Sequence, residues 1–309
     1  MSDGHDADAW VVTESGFDPA RANYDETLFT VGNGRLGTRA SLEEGHLGQL
    51  PGTFLNGVYD RSGVPVINLV NAPDWVDTAV FVDGLRLDVD TCTVLAHHRE
   101  LDLRDGTLAR TTVFEDAQGR RTRLQTLRCA SMADRRVCAL RVEVTPENHS
   151  SVIVIETGID GDRRNLDRLP LYAEGTVFPP EVRWEKWARA RHLQESGRAD
   201  DGDALYLEMR TIDSGVALGY AAATTFDPPP AGRAVQQRHE RITERTEHRG
   251  VPGQTLRMDK LVAICTSRDP EGSAVGAVHQ RCLDVLAEHS GPAGVEGVLE
   301  ASHAVWADL

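Results

Sequence analysis

The spacing with the most chemical content lies at Gly32, Gly34 and Gly37, which satisfy G-x-G-x-x-G. Such a run cradles a pyrophosphate when it leaves a strand and opens a helix, because backbone N–H groups and the helix N-terminus then face the anion. Residues 28–31 read as a short strand and meet the first half of that condition. Beyond the glycines, Leu36, Thr38, Ala40 and Leu42 alternate with Arg35, Gly37, Arg39 and Ser41, a period of two and not that of a helix. The run is therefore expected to be a hairpin. Asn33-Gly34 would supply positive φ angles at a primed turn, and Gly37 would permit a bulge or close backbone packing.

Other side chains could do chemistry at a sugar. Paired carboxylates flanking a glycosidic bond are the machinery of glycoside cleavage. Glu43 and Glu44 are adjacent, however, so on a strand they point to opposite faces, and a solvated strand end is expected. His97 and His98 diverge for the same reason. Trp75, Trp184 and Trp187 offer flat apolar rings for pyranose C–H groups, and Trp75, after the Pro73-Asp74 turn, is the first choice. A tryptophan at a loop edge is, however, more often packed in the core or at a domain interface. Asn33 is expected to set turn geometry, and Arg39 to make a fixed ion pair or interface contact. Trp75, Arg39 and Asn33 are thus the candidate sugar or domain-interface contacts. No catalytic, cofactor or metal residue is assigned, since the eleven histidines show no H-E-x-x-H spacing and no serine sits in an elbow motif.

The elements that would position these groups read as a run of strands. Residues 79–82 and 85–89 join across Asp83-Gly84, a strong hairpin signal. Residues 107–115 and 120–130 form a longer hairpin, with Leu108, Arg110, Thr112 and Phe114 alternating against their neighbours. Residues 135–145 and 151–157 continue the meander, and the lack of helical interruptions points to antiparallel pairing. Residues 158–173 are polar and turn-forming, while 184–196 suit either a short helix or a strand with a charged face. Strands resume at 203–211 and 216–225, and Pro228–Pro230 stop the second. Residues 234–247 suit an exposed sheet face, and 255–266 close the β region. Beyond Asp269 the period becomes helical: Val275, Val278, Cys282, Val285 and Leu286 share one face, and a further helix begins near Val298 and carries Trp306.

Composition narrows the function classes. The formal net charge is -15, which argues against nucleic acid and anionic membrane, both of which require a basic face. The five cysteines form no C-x-x-C pair and read as buried free thiols of a reducing compartment. The acidic N-terminus lacks signal-peptide character and no run approaches a membrane span, so a cytoplasmic location is expected.

Seven segments in order, LFTVGNGRLGTRASLEEG, PGTFLNGVYD, LVNAPDW, LDLRDGTLART, LRCASMADRRVCALRVEVTPEN, KLVAICTSRD and SHAVWADL, together resemble the N-terminal region of glycoside hydrolase family 65. That family comprises inverting phosphorylases of maltose, trehalose and kojibiose and their hydrolase relatives. The resemblance implies a mainly β fold, a two-sheet antiparallel super-β-sandwich similar to galactose mutarotase. It places the sandwich at residues 1–269 and a helical linker at 270–309, leading to an absent (α/α)6 barrel. It also implies a glutamate general acid in that barrel, inorganic phosphate as co-substrate, no cofactor of the chain itself, a disaccharide substrate and a homodimer. A non-catalytic domain that supports the barrel and its pocket rim is the expectation. A stand-alone aldose epimerase or a carbohydrate-binding module on the same fold is the alternative.

Overall fold

The computed structural model describes residues 10–61, 67–168, 187–270 and 277–309. Its elements begin with β1 (Val11–Ser15), α1 (Ala22–Leu28), β2 (Val31–Gly32), β3 (Leu36–Thr38), β4 (Thr53–Asp60), β5 (Asn68–Ala72), β6 (Thr78–Val82) and β7 (Leu85–Arg86). There follow β8 (Thr93–Asp102), β9 (Thr107–Glu115), β10 (Arg121–Ala130), β11 (Val137–Pro146), β12 (Ser151–Asp160), β13 (Asn165–Arg168) and β14 (Trp187–Ala190). The chain continues through β15 (Leu193–Asp200), β16 (Leu205–Thr211), β17 (Ala217–Asp227), β18 (Gly232–Arg238), β19 (Arg241–Gly250) and β20 (Leu256–Thr266) to α2 (Ala277–His289) and α3 (Gly294–Ala307).

Among the described residues all strand pairs are antiparallel, as the uninterrupted run of short strands predicts. A nine-stranded sheet, in the order β1-β8-β9-β10-β11-β20-β17-β16-β15, faces a five-stranded sheet, β18-β19-β12-β6-β7. Phe114, Leu140, Val142, Tyr220, Val262 and Ile264 from the first meet Val80, Val82, Ile153, Ile155 and Ile242 from the second in one core. A four-stranded sheet, β2-β3-β4-β5, adds Leu36, Leu55, Val70 and Ala72 to that core, and β13 pairs with β14. The expected two-sheet sandwich is therefore present, with two smaller sheets beside it.

The central strands of the large sheet are buried on both faces. In β20, Val262 and Ile264 face the sandwich interior while Leu261, Ala263 and Cys265 face the helices. That is why residues 261–265 read as a continuous apolar run and not as a clean alternation. Against this outer face α2 packs Val278, Cys282, Val285 and Leu286, four of the five residues on the expected stripe, and α3 adds Val295 and Val298. The fifth, Val275, lies outside the described residues. Residues expected to form a linker thus close a second core on the sandwich.

Several local expectations need correction. Leu28 ends α1 and does not begin a strand, and β2 is confined to Val31–Gly32. Gly34 takes φ +79°, but Asn33 stays out of the left-handed region. Its side chain shapes the turn by accepting the Arg35 and Leu36 N–H groups, each at 3.1 Å, which replaces the expected pair of positive φ angles. Gly37 pairs in register with Gly32 and forms no bulge. At Asp83-Gly84 both φ values are positive, 47° and 84°, as the hairpin signal predicts. Residues 234–247 are not one exposed strand but the β18–β19 hairpin, with Ile242, Thr243, Glu244 and Thr246 buried. Residues 187–190 and 193–200 are strands, which decides against a helix there. β12 leaves the meander and joins the second sheet between β19 and β6.

Candidate functional site

Three groupings of ionisable side chains stand out, and burial separates them. The first is built on β8, β9 and β10, where Arg99 lies directly opposite Arg110, with Arg128 nearby on the same face. These arginines bind the segment that follows β3. Arg99 and Arg128 donate to the carbonyls of Ala40 and Ser41 at 2.9 and 2.8 Å. Arg110 grips Glu44 with two hydrogen bonds of 2.8 and 2.6 Å, and its second nitrogen lies 3.1 Å from Glu43. Glu43 also pairs with Arg128. Glu43 and Glu44 sit in a turn, not on a strand, so their carboxylates converge. They are buried, and the expected solvated strand end is overturned. Burial alone would raise the Glu43 carboxyl, but the Arg128 and Arg110 guanidinium groups outweigh it and hold it at about 2.

Beside this cluster His97 is buried, with Nδ1 2.9 Å from the Thr112 hydroxyl, while His98 is exposed on the opposite face, as adjacent strand positions require. Burial pulls the His97 imidazole below its ordinary value, against the opposing pull of Glu14.

The second grouping centres on Lys260, fully enclosed between the two large sheets. Its ammonium donates to Thr157 Oγ1 at 3.0 Å and to the Gly158 carbonyl at 2.6 Å. Burial lowers its pKa to about 8, against the opposing fields of Asp77, Asp74 and Glu244. No substrate reaches this ammonium, so it acts as a cross-sheet tie.

The third grouping is open. A cleft of about 530 Å³ lies where the 49–54 connection and β5 meet residues 162–165. Arg39, Gln49, Phe54, Asp162, Arg163 and Arg164 contribute to its walls. Two asparagines fix its floor. Asn71 accepts from the Thr53 N–H at 3.1 Å and donates to the Pro51 and Arg164 carbonyls at 3.0 and 3.2 Å. Asn165 accepts from the Asn71 N–H at 2.7 Å and donates to the Leu69 carbonyl at 2.8 Å. Each guanidinium has a carboxylate beside it: Arg39 has Glu26 at 3.1 Å, Arg163 has Asp160, and Arg164 has Asp162 at 3.6 Å. Gly52 is required in the wall, because a Cβ there would stand 2.9 Å from both Arg39 Cδ and Phe54 Cε2.

Of the three candidate contacts, only Arg39 reaches the cleft. It forms the expected ion pair and also donates to the Leu50 carbonyl at 2.9 Å and the Thr27 hydroxyl at 2.6 Å. Trp75 is wholly buried, its indole N–H donating to Thr38 Oγ1 at 2.9 Å, so it offers no face to a sugar or to another domain. Asn33 is buried and donates to the Ser131 and Arg135 carbonyls at 2.8 and 3.1 Å, a structural tie. Trp184 lies outside the described residues, and nothing is described of the Trp187 side chain. Sequence reasoning missed Asn71, Asp162, Arg164 and Asn165. The charged turn at 160–165 is the local signal for Asp162, Arg164 and Asn165 and reads as ordinary loop, while Asn71 sits on β5 with no such signal.

For metal ions, Asp134, Glu288 and His289 place one ligand atom each within 4.8 Å of one another. Arg136 already occupies this group, bonding Asp134 at 2.7 Å and standing 4.0 Å from Glu288. The cysteines are free thiols, four buried and Cys92 half-buried.

Comparison with known proteins agrees with the fold. Residues 12–309 match the family profile described as "Glycosyl hydrolase family 65, N-terminal domain". A kojibiose phosphorylase of Thermoanaerobacter brockii is 31% identical over 270 residues, covering 85% of this chain and 33% of its own length. A nigerose phosphorylase of Lachnoclostridium phytofermentans is 24% identical over 97% of this chain and 39% of its own. A solved human-microbiome protein, described as a candidate kojibiose phosphorylase, superposes with a TM-score of 0.79 at 16% identity, covering 97% of this chain and 38% of that one. The chain thus spans between about a third and two fifths of the length of these relatives. With the match extending across the sandwich and both C-terminal helices, the chain belongs to the N-terminal domain family of glycosyl hydrolase family 65.

Proposed function

We propose that this domain is the non-catalytic β-sandwich of a disaccharide phosphorylase or hydrolase, and that bond cleavage occurs in a separate (α/α)6 barrel. The observation that carries this reading is the state of Glu43 and Glu44. Glycoside cleavage needs one carboxyl group that keeps its proton near neutrality and a space for the sugar beside it. Glu43 is instead held ionised to about 2 by two guanidinium groups, and both carboxylates are enclosed. They anchor the segment that leads from β3 toward β4 and serve as structure.

In this reading the domain supports the barrel, lends loops to its pocket rim and takes part in a cytoplasmic homodimer. The whole enzyme uses inorganic phosphate as co-substrate and needs no other cofactor. None of the described helices is long and apolar enough to cross a membrane. The kojibiose, nigerose and maltose phosphorylases among the relatives make these disaccharides the first substrates to test.

The test is to incubate the 309-residue chain with each disaccharide and phosphate and to follow glucose 1-phosphate, with polarimetry of freshly dissolved glucose run in parallel. The expected result is no release and no acceleration of anomer exchange. Release of glucose 1-phosphate would overturn the non-catalytic reading, and accelerated mutarotation would favour the epimerase alternative.

A further inference from the structure

The open cleft between β5 and residues 162–165 is lined by arginines, an aspartate, asparagines and one aromatic ring. We propose that it is a carbohydrate-binding site, taking one or two neutral pyranose units through the Arg164–Asp162 pair and the surface of Phe54. The inference does not rest on which reaction the full-length enzyme performs.

Four observations carry it. The volume of about 530 Å³ falls within the range of small-ligand sites, about 300–1,000 Å³. The floor is pre-formed, because Asn71 and Asn165 spend their amide groups on backbone partners and hold the two sides of the cleft together. Pre-formed sites avoid the ordering cost of binding. Gly52 lets Phe54 and the Arg39 stem lie against the wall where any larger residue would push them apart. An aromatic surface set among hydrogen-bonding groups suits the mixed apolar and hydroxylated faces of a sugar.

The fourth observation selects the ligand class. Three arginines in an acidic protein invite an anion, but each already stands beside a carboxylate. A phosphate would compete with Glu26, Asp160 and Asp162 and would meet their charge. Sugar hydroxyls both donate and accept, so a neighbouring pair of hydroxyls can accept from Arg164 and donate to Asp162 at once. Their separation of 3.6 Å is too long for a direct hydrogen bond, and both side chains are substantially solvent-exposed, 40% and 54%. The pair therefore retains donors and acceptors for a ligand.

The experiment is calorimetric titration of the full 309-residue chain with glucose, maltose and kojibiose, and separately with inorganic phosphate. Saturable binding of at least one sugar with a Kd of about 1 mM, and none of phosphate, is expected. Arg164→Ala and Asp162→Ala should each weaken sugar binding by about tenfold without moving the melting temperature, since neither is buried. Gly52→Ala should weaken it by displacing Phe54 and Arg39. The proposal is overturned if no sugar binds at up to about 100 mM, if phosphate binds in preference, or if both surface variants retain wild-type affinity.

Discussion

Arg110 and Arg164 carry the same side chain and each stands beside a carboxylate, yet they do different work. The Arg110 guanidinium is 2% exposed and makes two hydrogen bonds to Glu44 while contacting Glu43. Arg164 is 40% exposed and stands 3.6 Å from Asp162. In the first case charge is sealed under a chain segment, where removing one partner strands the other in a poorly solvated interior. In the second, water screens both partners, and the pair contributes little to folding while remaining available to a ligand. Residue type names the chemistry a site can do, and burial decides whether that chemistry is spent on folding.

Arg110→Ala gives the largest expected effect. It leaves Glu43 and Glu44 enclosed with Arg128 alone and should cost about 3–5 kcal/mol in chemical denaturation. A loss below about 1 kcal/mol would erase the distinction between the two regions. Glu43→Gln probes the same cluster through pH. The Glu43 carboxyl sits at about 2 when folded, below its ordinary 4.5, so its contribution is complete above pH 4.5 and disappears as pH falls toward 2. That contribution is roughly 3 kcal/mol. The variant should therefore be less stable at pH 7 and lose less stability than wild type between pH 4.5 and 2.

Lys260 shifts in the same direction but in a higher window, and its shift costs stability at neutral pH where that of Glu43 contributes it. Its folded value of about 8 lies below the ordinary 10.5, so the unfolded chain binds more protons between those values and stability rises with pH across that window. Lys260→Met preserves the aliphatic stem, and the wild-type gain of roughly 3 kcal/mol between pH 8 and 10.5 should be missing from its stability profile. Parallel curves for the two proteins would show that Lys260 does not titrate as its enclosure requires. The smallest expected effect is Arg164→Ala, within about 0.5 kcal/mol of wild type by thermal denaturation. A cost comparable to that of Arg110→Ala would make the cleft part of the folding core.

The legible parts of the molecule are those with a local period or a local turn. The 107–115 and 120–130 hairpin is found at β9 and β10 because alternating residues match a strand buried on one face. The α2 stripe of Val278, Cys282, Val285 and Leu286 is found because its helical spacing coincides with the face that meets the sheet. Reading failed where polar residues are buried. Glu43 and Glu44 carry the pattern of a solvated end, since glutamate is seldom enclosed without partners, and their partners lie on strands far along the chain. Trp75 takes the core packing weighed against its sugar role: a turn-edge tryptophan looks available, but Thr38 receives its N–H inside the core.

The sequence alone determined that this chain builds antiparallel β-structure followed by amphipathic helices, and seven short segments carried its family. Those properties depend on spacing within about ten residues, where side chains share a face by covalent geometry. Only tertiary structure decided which charges are closed and which are open. Arg128 meets Glu43 across 85 positions and Asn71 meets Asn165 across 94, and no local pattern records such distant pairings. The physical reason is that solvation belongs to the assembled surface: the same guanidinium and carboxylate groups make a buried anchor at Arg110 and an open cleft wall at Arg164.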